Sequence, residues 1–254
     1  MMMEASAATA NGLILNARGI TKRFGGFVAL NNVDLAVRPG ERLGLIGPNG
    51  SGKSTLTNCL CGALKTDGGS ISFAGRAIDN LSSYQRARLG LGRSFQLPRP
   101  FHSLSLLDNL RIPLVYAVNA RGGTHLTEQQ IRARSTELLG EFGLGGKLHR
   151  LPGDLTQVEM RKLELARAMA TDPTLLVSDE ALAGLSHSEV DEILALLLAL
   201  NKRGVAVIFI EHIMRAVMAF SERLVVLVAG EKIADGAPKD VIADERVIGA
   251  YLGQ

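Results

Sequence analysis

Apolar positions along the chain follow two alternating rhythms, and their order predicts an architecture before any motif is considered. The run 42–46 reads as a short apolar strand, and strand character returns at 174–178, 205–210 and 224–228, with a helix-length segment between successive runs. That alternation is the pattern of an α/β fold with a largely parallel core sheet. Runs 13–22, 33–37 and 70–73 predict an antiparallel β layer beside the strand 42–46. From about 98 to 171 strand patterns disappear and helical periodicity takes over at 104–115, 127–142 and 156–169, which predicts an inserted helical subdomain. No solenoid repeat or long low-complexity linker breaks this order. Residues 11–254 are therefore expected to form one domain, and residues 1–10 a frayed tail.

Between the strand 42–46 and the next helical run lies Gly47-Pro48-Asn49-Gly50-Ser51-Gly52-Lys53-Ser54-Thr55. The pattern G-x-x-x-x-G-K-[ST] between a strand and a helix builds a cradle for nucleotide phosphates, the hallmark of a P-loop NTPase. Gly47, Gly50 and Gly52 let the backbone turn tightly, so that amide N–H groups and the helix start face phosphate oxygens. Lys53 is expected to neutralise the outer phosphates, Ser54 to coordinate Mg²⁺, and Thr55 to donate a further hydrogen bond. A glycine turn before an ordinary helix is the competing reading, and the presence of every fixed position in the right context weighs against it.

A second element, Leu175-Leu176-Val177-Ser178-Asp179-Glu180, ends an apolar strand in two carboxylates. Alone, such a pair is most simply a solvated strand end. Beside a phosphate loop, Asp179 is expected to hold Mg²⁺ through its water shell and Glu180 to act as general base on the attacking water.

Composition narrows the class further. Hydrophobic residues at 46 % and charged residues at 21 % exclude a disordered or fibrous chain. The longest apolar run, 193–200, is far short of the roughly 20 residues of a membrane span. The first ten residues lack a basic segment followed by an apolar core, so a secretory signal is not expected there. A net charge of +3 is too small to argue for nucleic acid, while a membrane-surface partner stays open. Cys59 and Cys61 read as reduced, packed thiols.

Further residues carry a family resemblance. Arg93-Ser94-Phe95-Gln96, then Leu155-Thr156-Gln157-Val158-Glu159 running into a helix, then Ala183-Gly184-Leu185-Ser186 and Ile210-Glu211-His212 agree in type, order and rough spacing with one family. With the phosphate loop and acid pair, the chain resembles the ATPase subunits of ATP-binding cassette (ABC) transporters over nearly its whole length. The resemblance implies ATP and Mg²⁺ as ligands. It implies that Phe24 stacks on adenine with Val28 beside it. Gln96 is similar to the glutamine that senses Mg²⁺ and the attacking water and links the site to the transmembrane partner, and His212 to the switch histidine. Residues 183–186 are similar to the loop that communicates across the ATPase dimer. For His212 there is also an electrostatic rationale, since an imidazole donor near the γ-phosphate stabilises developing charge. Packing of a turn by Phe24, capping by His212 and plain solvation of Gln96 are the bland alternatives.

The segment 155–159 departs from the family's usual leucine, serine, two glycines and glutamine. In the family this helix start contacts the γ-phosphate held by the opposite subunit. Thr156 keeps the hydroxyl, but Val158 brings bulk, and strain if its φ were positive, while Gln157 and Glu159 replace glycine and an uncharged residue. A heterodimer with a second ABC ATPase subunit is therefore favoured over a homodimer. Ala181, where the family usually has proline, is a mild departure. Arg99-Pro100-Phe101, the run 211–218 and Ala250-Tyr251-Leu252-Gly253 look like ATPases of branched-chain amino acid importers. This implies a peripheral subunit on the cytoplasmic face of the inner membrane, with permease partners and, indirectly, a substrate-binding protein. Cassettes for amides, urea, aromatic acids or lipopolysaccharide, and a non-transport or regulatory ATP-binding module, remain the alternatives.

Overall fold

The computed structural model describes residues 12–94, 98–123 and 125–252. The described chain opens with β1 (Leu15–Phe24), β2 (Phe27–Val37) and β3 (Arg42–Ile46), enters α1 (Lys53–Leu60), and returns through β4 (Gly68–Phe73) and β5 (Arg76–Ala77) to α2 (Ser83–Leu89) and β6 (Leu91–Ser94). Helices α3 (Leu106–Pro113), α4 (Glu128–Glu141) and α5 (Gln157–Met169) follow. The second half alternates β7 (Leu175–Asp179), α6 (His187–Lys202), β8 (Ala206–Ile210), α7 (Met214–Phe220) and β9 (Arg223–Val228), then closes with β10 (Glu231–Gly236), α8 (Pro238–Ile242) and α9 (Glu245–Leu252).

Among the described residues two sheets form. One is antiparallel, in the order β2-β1-β4-β5, and the other is β10-β9-β3-β8-β7-β6, parallel except where β10 pairs with β9. Side chains of a strand alternate faces, and here the alternation separates two cores. Leu175, Val177, Ala206, Ile208 and Ile210 join the antiparallel sheet and Leu56 of α1 in one core. Leu176, Val207 and Phe209 join the helices of the other, with Leu110, Leu138 and Leu163 among its buried residues. These strands are apolar on both faces because both faces are covered, which is why their sequence shows runs rather than alternation.

The register positions the site. Leu45 of β3 pairs with Ile210 of β8, and Ile210 pairs with Asp179 of β7. The segments that follow β3, β7 and β8 thus leave one edge of the sheet, at the carboxyl ends of parallel strands, where α/β folds bind ligands.

Three strands escape the sequence pattern: β5 is two residues long, β6 reads Leu-Gly-Arg-Ser, and β10 reads Glu-Lys-Ile-Ala-Asp-Gly with no run or clean alternation of apolar residues. In the helical stretch, Ser105 caps α3 by accepting the Asp108 N–H at 3.1 Å. Pro113, which has no N–H to give, ends α3, and 114–118 winds as a π-helical turn closed by Asn119 N–H to the Leu114 carbonyl at 3.0 Å. Cys59 and Cys61 are both buried free thiols, as expected. No helix among the described residues is long and apolar enough to cross a membrane.

Candidate functional site

The phosphate loop is held by close backbone approach. A Cβ on Gly47 would lie 2.1 Å from the Leu227 carbonyl oxygen, and one on Gly52, where φ is +102°, would lie 2.8 Å from that of Ala29. Glycine is therefore required by β9 and β2 as well as by the turn. Lys53 Nζ donates to the carbonyls of Gly47 at 2.6 Å and Pro48 at 3.0 Å. Burial pushes its pKa down, while the charges of Glu180 and Asp179 pull it up. The ammonium is thus already inside the loop and facing the acid pair. Phe24, Phe27, Ala29, residues 49–55 and Glu180 line one open cavity of about 290 Å³. Gly47 and Pro48 are not among its walls; their carbonyls hold Lys53 from behind.

Asp179 is buried at the end of β7 and forms an ion pair with Arg93 Nη2 at 2.8 Å, whose Nη1 donates to Asn58 Oδ1 of α1 at 2.7 Å. Arg93 thus ties the acid strand to the helix behind the phosphate loop. Glu180 adopts a φ of +49° and its N–H bonds to the Ile210 carbonyl at 2.9 Å. Its Oε1 lies 2.7 Å from His212 Nε2. With its proton on Nε2, the ring donates to the carboxylate and leaves that carboxylate its remaining acceptor sites. Among the described residues no group of three or more His, Cys, Asp or Glu side chains could hold a metal alone. A carboxylate from Asp179 and the exposed Ser54 hydroxyl are nonetheless the oxygen donors that Mg²⁺ takes when phosphate oxygens complete its shell. Gln96 lies outside the described residues.

Phe24 is 48 % exposed at the end of β1, with Lys22 Nζ 5.6 Å from its ring centre. Its cross-strand partner is Phe27, itself 66 % exposed. Strand alternation puts Phe27 and Ala29 on the cavity side and Val28 on the other, so Val28 is not the residue beside Phe24 in the cavity. Period-two reading outward from the Gly25-Gly26 turn carries that signal.

A profile of the ABC transporter family matches residues 30–183. The chain belongs to the ABC transporter family. This ABC cassette is an ATPase, and its residues 231–254 match a second profile, that of the branched-chain amino acid ATP-binding cassette transporter. It is 37 % identical to the high-affinity branched-chain amino acid transport ATP-binding protein BraF of Pseudomonas aeruginosa, over 95 % of this chain and 98 % of that protein. LivG of Salmonella typhimurium, of the same description, shares the same identity and coverage. The solved ADP conformation of an ATP-binding cassette of an ABC transporter is 31 % identical and superposes with a TM-score of 0.84, covering 95 % of this chain and 99 % of that one.

The signature segment of this ABC cassette is built differently from its phosphate loop. Thr156 is the N-cap of α5: its hydroxyl accepts the Glu159 N–H at 3.4 Å, and Glu159 accepts the Thr156 N–H at 3.0 Å. Lys147 reaches the same carboxylate at 2.7 Å, and this bond, followed by that from Thr156, holds Glu159 below the usual carboxylate range. Val158 sits in the first turn of the helix, not at positive φ, so the strain conditionally attached to it does not arise; its bulk, packed partly against the core, remains. Gln157 Nε2 donates to the Ala183 carbonyl at 3.3 Å, and Arg161 Nη2 does so at 3.3 Å as well. The signature helix therefore touches the loop 183–186 of its own chain. Sequence reasoning passed over Phe27 and Asn58 and gave no role to Arg93, which donates to Asn58, or to Glu211, whose Oε1 accepts the Leu182 N–H at 2.8 Å.

Proposed function

We propose that this chain, a cassette domain over 11–254 with a helical subdomain at about 98–171, energises an importer of branched-chain or other hydrophobic amino acids as a peripheral subunit on the cytoplasmic face of the membrane. The observation that carries the mechanism is the 2.7 Å contact between His212 Nε2 and Glu180 Oε1 at the rim of the phosphate-loop cavity. ATP's adenine lies against Phe24 and Phe27, and its phosphates take the amide N–H groups of the loop 49–55, with Lys53 turning from the loop carbonyls to the outer phosphates. Ser54, Asp179 and Gln96 are the residues that would hold Mg²⁺, which when bound neutralises phosphate charge. Glu180 accepts the proton of the attacking water, and His212 orients that carboxylate and stabilises charge on the transferring group.

Two subunit types follow. Permeases are the membrane partners, and a substrate-binding protein acts through them. A cavity of about 370 Å³, lined mainly by apolar surface from Tyr84, Phe101, Ile112 and Tyr116 with Arg167 at its wall, supports docking of a permease segment beside residues 99–101. A second ABC ATPase of different sequence is the favoured dimer partner, because Val158 adds bulk and the Glu159 carboxylate, paired with Lys147, already takes the helix-start amide where another chain's γ-phosphate would approach. The small net charge of +3 gives no support to a nucleic-acid partner.

Glu180→Gln tests the mechanism. Nucleotide binding should persist while turnover falls roughly 10²- to 10⁴-fold; wild-type turnover in this variant would remove Glu180 as the base. Uptake of labelled leucine by cells lacking the chain should return with the wild-type gene and not with E180Q. Unchanged leucine uptake alongside loss of another solute would overturn the cargo.

A further inference from the structure

Glu211 is 3 % exposed, precedes His212 by one residue, and has no part in the chemistry assigned above. Its Oε1 accepts the Leu182 N–H at 2.8 Å, so a carboxyl from the end of β8 holds the turn that follows Glu180. That turn starts in uncommon backbone. A φ of +49° at Glu180 lies in the left-handed region, which a non-glycine residue keeps only where its surroundings enforce it.

The enforcement is on both sides. The Ile210 carbonyl takes the Glu180 N–H at 2.9 Å, and the adjoining Glu211 takes that of Leu182 two residues later. Farther along, the Ala183 carbonyl is held from α5 by Gln157 and Arg161. The groups facing Glu211 are Glu180, Arg161 and the backbone of His212. Burial above all, then the Glu180 charge, pushes its carboxyl up to about 7, against the bonds from Leu182 and His212 and the Arg161 charge. A carboxyl is an expensive filler for such a site. What it supplies that an aliphatic side chain could not is the acceptor for Leu182.

We propose that Glu211 is a positioning residue for hydrolysis: through Leu182 it fixes the turn 180–183 and so keeps the Glu180 carboxylate against His212. This rests on reading Glu180 as the general base. Displacing a reacting group by an ångström costs up to about a hundredfold in rate, whereas nucleotide affinity is set mainly at the phosphate loop.

The test uses the cassette assembled with its co-expressed permease and partner ATPase, comparing Glu211→Ala, Glu211→Met, Glu211→Gln and Glu180→Gln. E211A and E211M, which lack the acceptor, should lower kcat roughly 10- to 100-fold with KM for ATP and fluorescent-nucleotide affinity within about twofold. E211Q keeps the acceptor and should recover most of the rate. Wild-type kcat in E211A or E211M would overturn the proposal, as would E211Q no faster than E211M, or kcat and nucleotide affinity falling together. If E211A does not fold, E211M against E211Q decides. E180Q separates the two levels: wild-type turnover there removes the base assignment itself, while an inactive E180Q beside a fully active E211M removes only the role of Glu211.

Discussion

Helices α1 and α5 start at the proposed phosphate loop and the proposed signature segment, and they treat their first amides in opposite ways. At α1 the preceding residue is Gly52, at φ +102°, which has no side chain to cap the helix, and the first turn, Lys53-Ser54-Thr55, carries no acid. At α5 the cap is Thr156, the third residue is Glu159, and Lys147 neutralises the carboxylate from outside. The positive end of a helix stabilises an anion, and an anion from the same chain serves as well as a foreign one. The start of α1 therefore carries no capping side chain or acid of its own, as the proposed phosphate site requires, whereas that of α5 is already satisfied by its own glutamate. A phosphate brought to α5 by another subunit would have to displace or repel that carboxylate. In the proposed dimer the start of α1 would thus be the stronger half-site and that of α5 the weaker one, which is the physical reason we favour an unlike partner.

The largest expected effect breaks the α1 side. Lys53→Ala should weaken nucleotide binding roughly 10- to 100-fold, the loss of a charge-assisted bond of about 1.5–3 kcal/mol, in a fluorescent-nucleotide titration. Unchanged affinity would show that the α1 start is not the phosphate site. On the α5 side the effect should appear in stability instead. Thr156→Ala removes the N-cap acceptor and should cost about 1 kcal/mol, read as a fall in Tm of about 2–4 °C, with nucleotide affinity of the isolated chain untouched. A loss of affinity comparable to that of Lys53→Ala would erase the contrast between the helices.

The smallest effect concerns pH. The Lys147 and Thr156 bonds lower the folded-state pKa of Glu159, so their stabilisation is present above the ordinary glutamate range near 4.5 and is lost as pH falls through the depressed folded value. Glu159→Gln keeps the cap but not the charge. Acid unfolding followed by circular dichroism should therefore show a slightly weaker acid dependence in this variant, worth less than about 1 kcal/mol for a pair still partly open to solvent. Identical acid profiles would mean that the Lys147 contact contributes nothing to the fold.

Much of the site was legible because its parts are contiguous strings. The loop 47–55 and the pair Asp179-Glu180 each place their chemistry within a few residues, bounded by an apolar strand that periodicity reveals. What escaped was either polar in pattern or distant in sequence. Strand β6 contains Gly92 and Arg93, and its burial follows from pairing with β7 rather than from its composition. Phe27 was displaced by Val28 because the hairpin's pairing of Phe24 with Phe27 decides which residue faces the cavity. Arg93 with Asp179, and Glu211 with Leu182, join residues whose proximity no local pattern encodes.

By itself, then, the sequence determined the ligand class, the alternation of strands and helices, and the identity of the acidic and imidazole groups, because glycine spacing, apolar periodicity and side-chain chemistry are local properties. Only the tertiary structure decided that Glu180 and His212 touch, that Asp179 is shared with Arg93, and that Glu159 caps its own helix and is neutralised by Lys147. The parallel register of β3, β8 and β7 brings their carboxyl ends to one edge, and distances across a sheet are set by strand order, which the linear pattern does not contain.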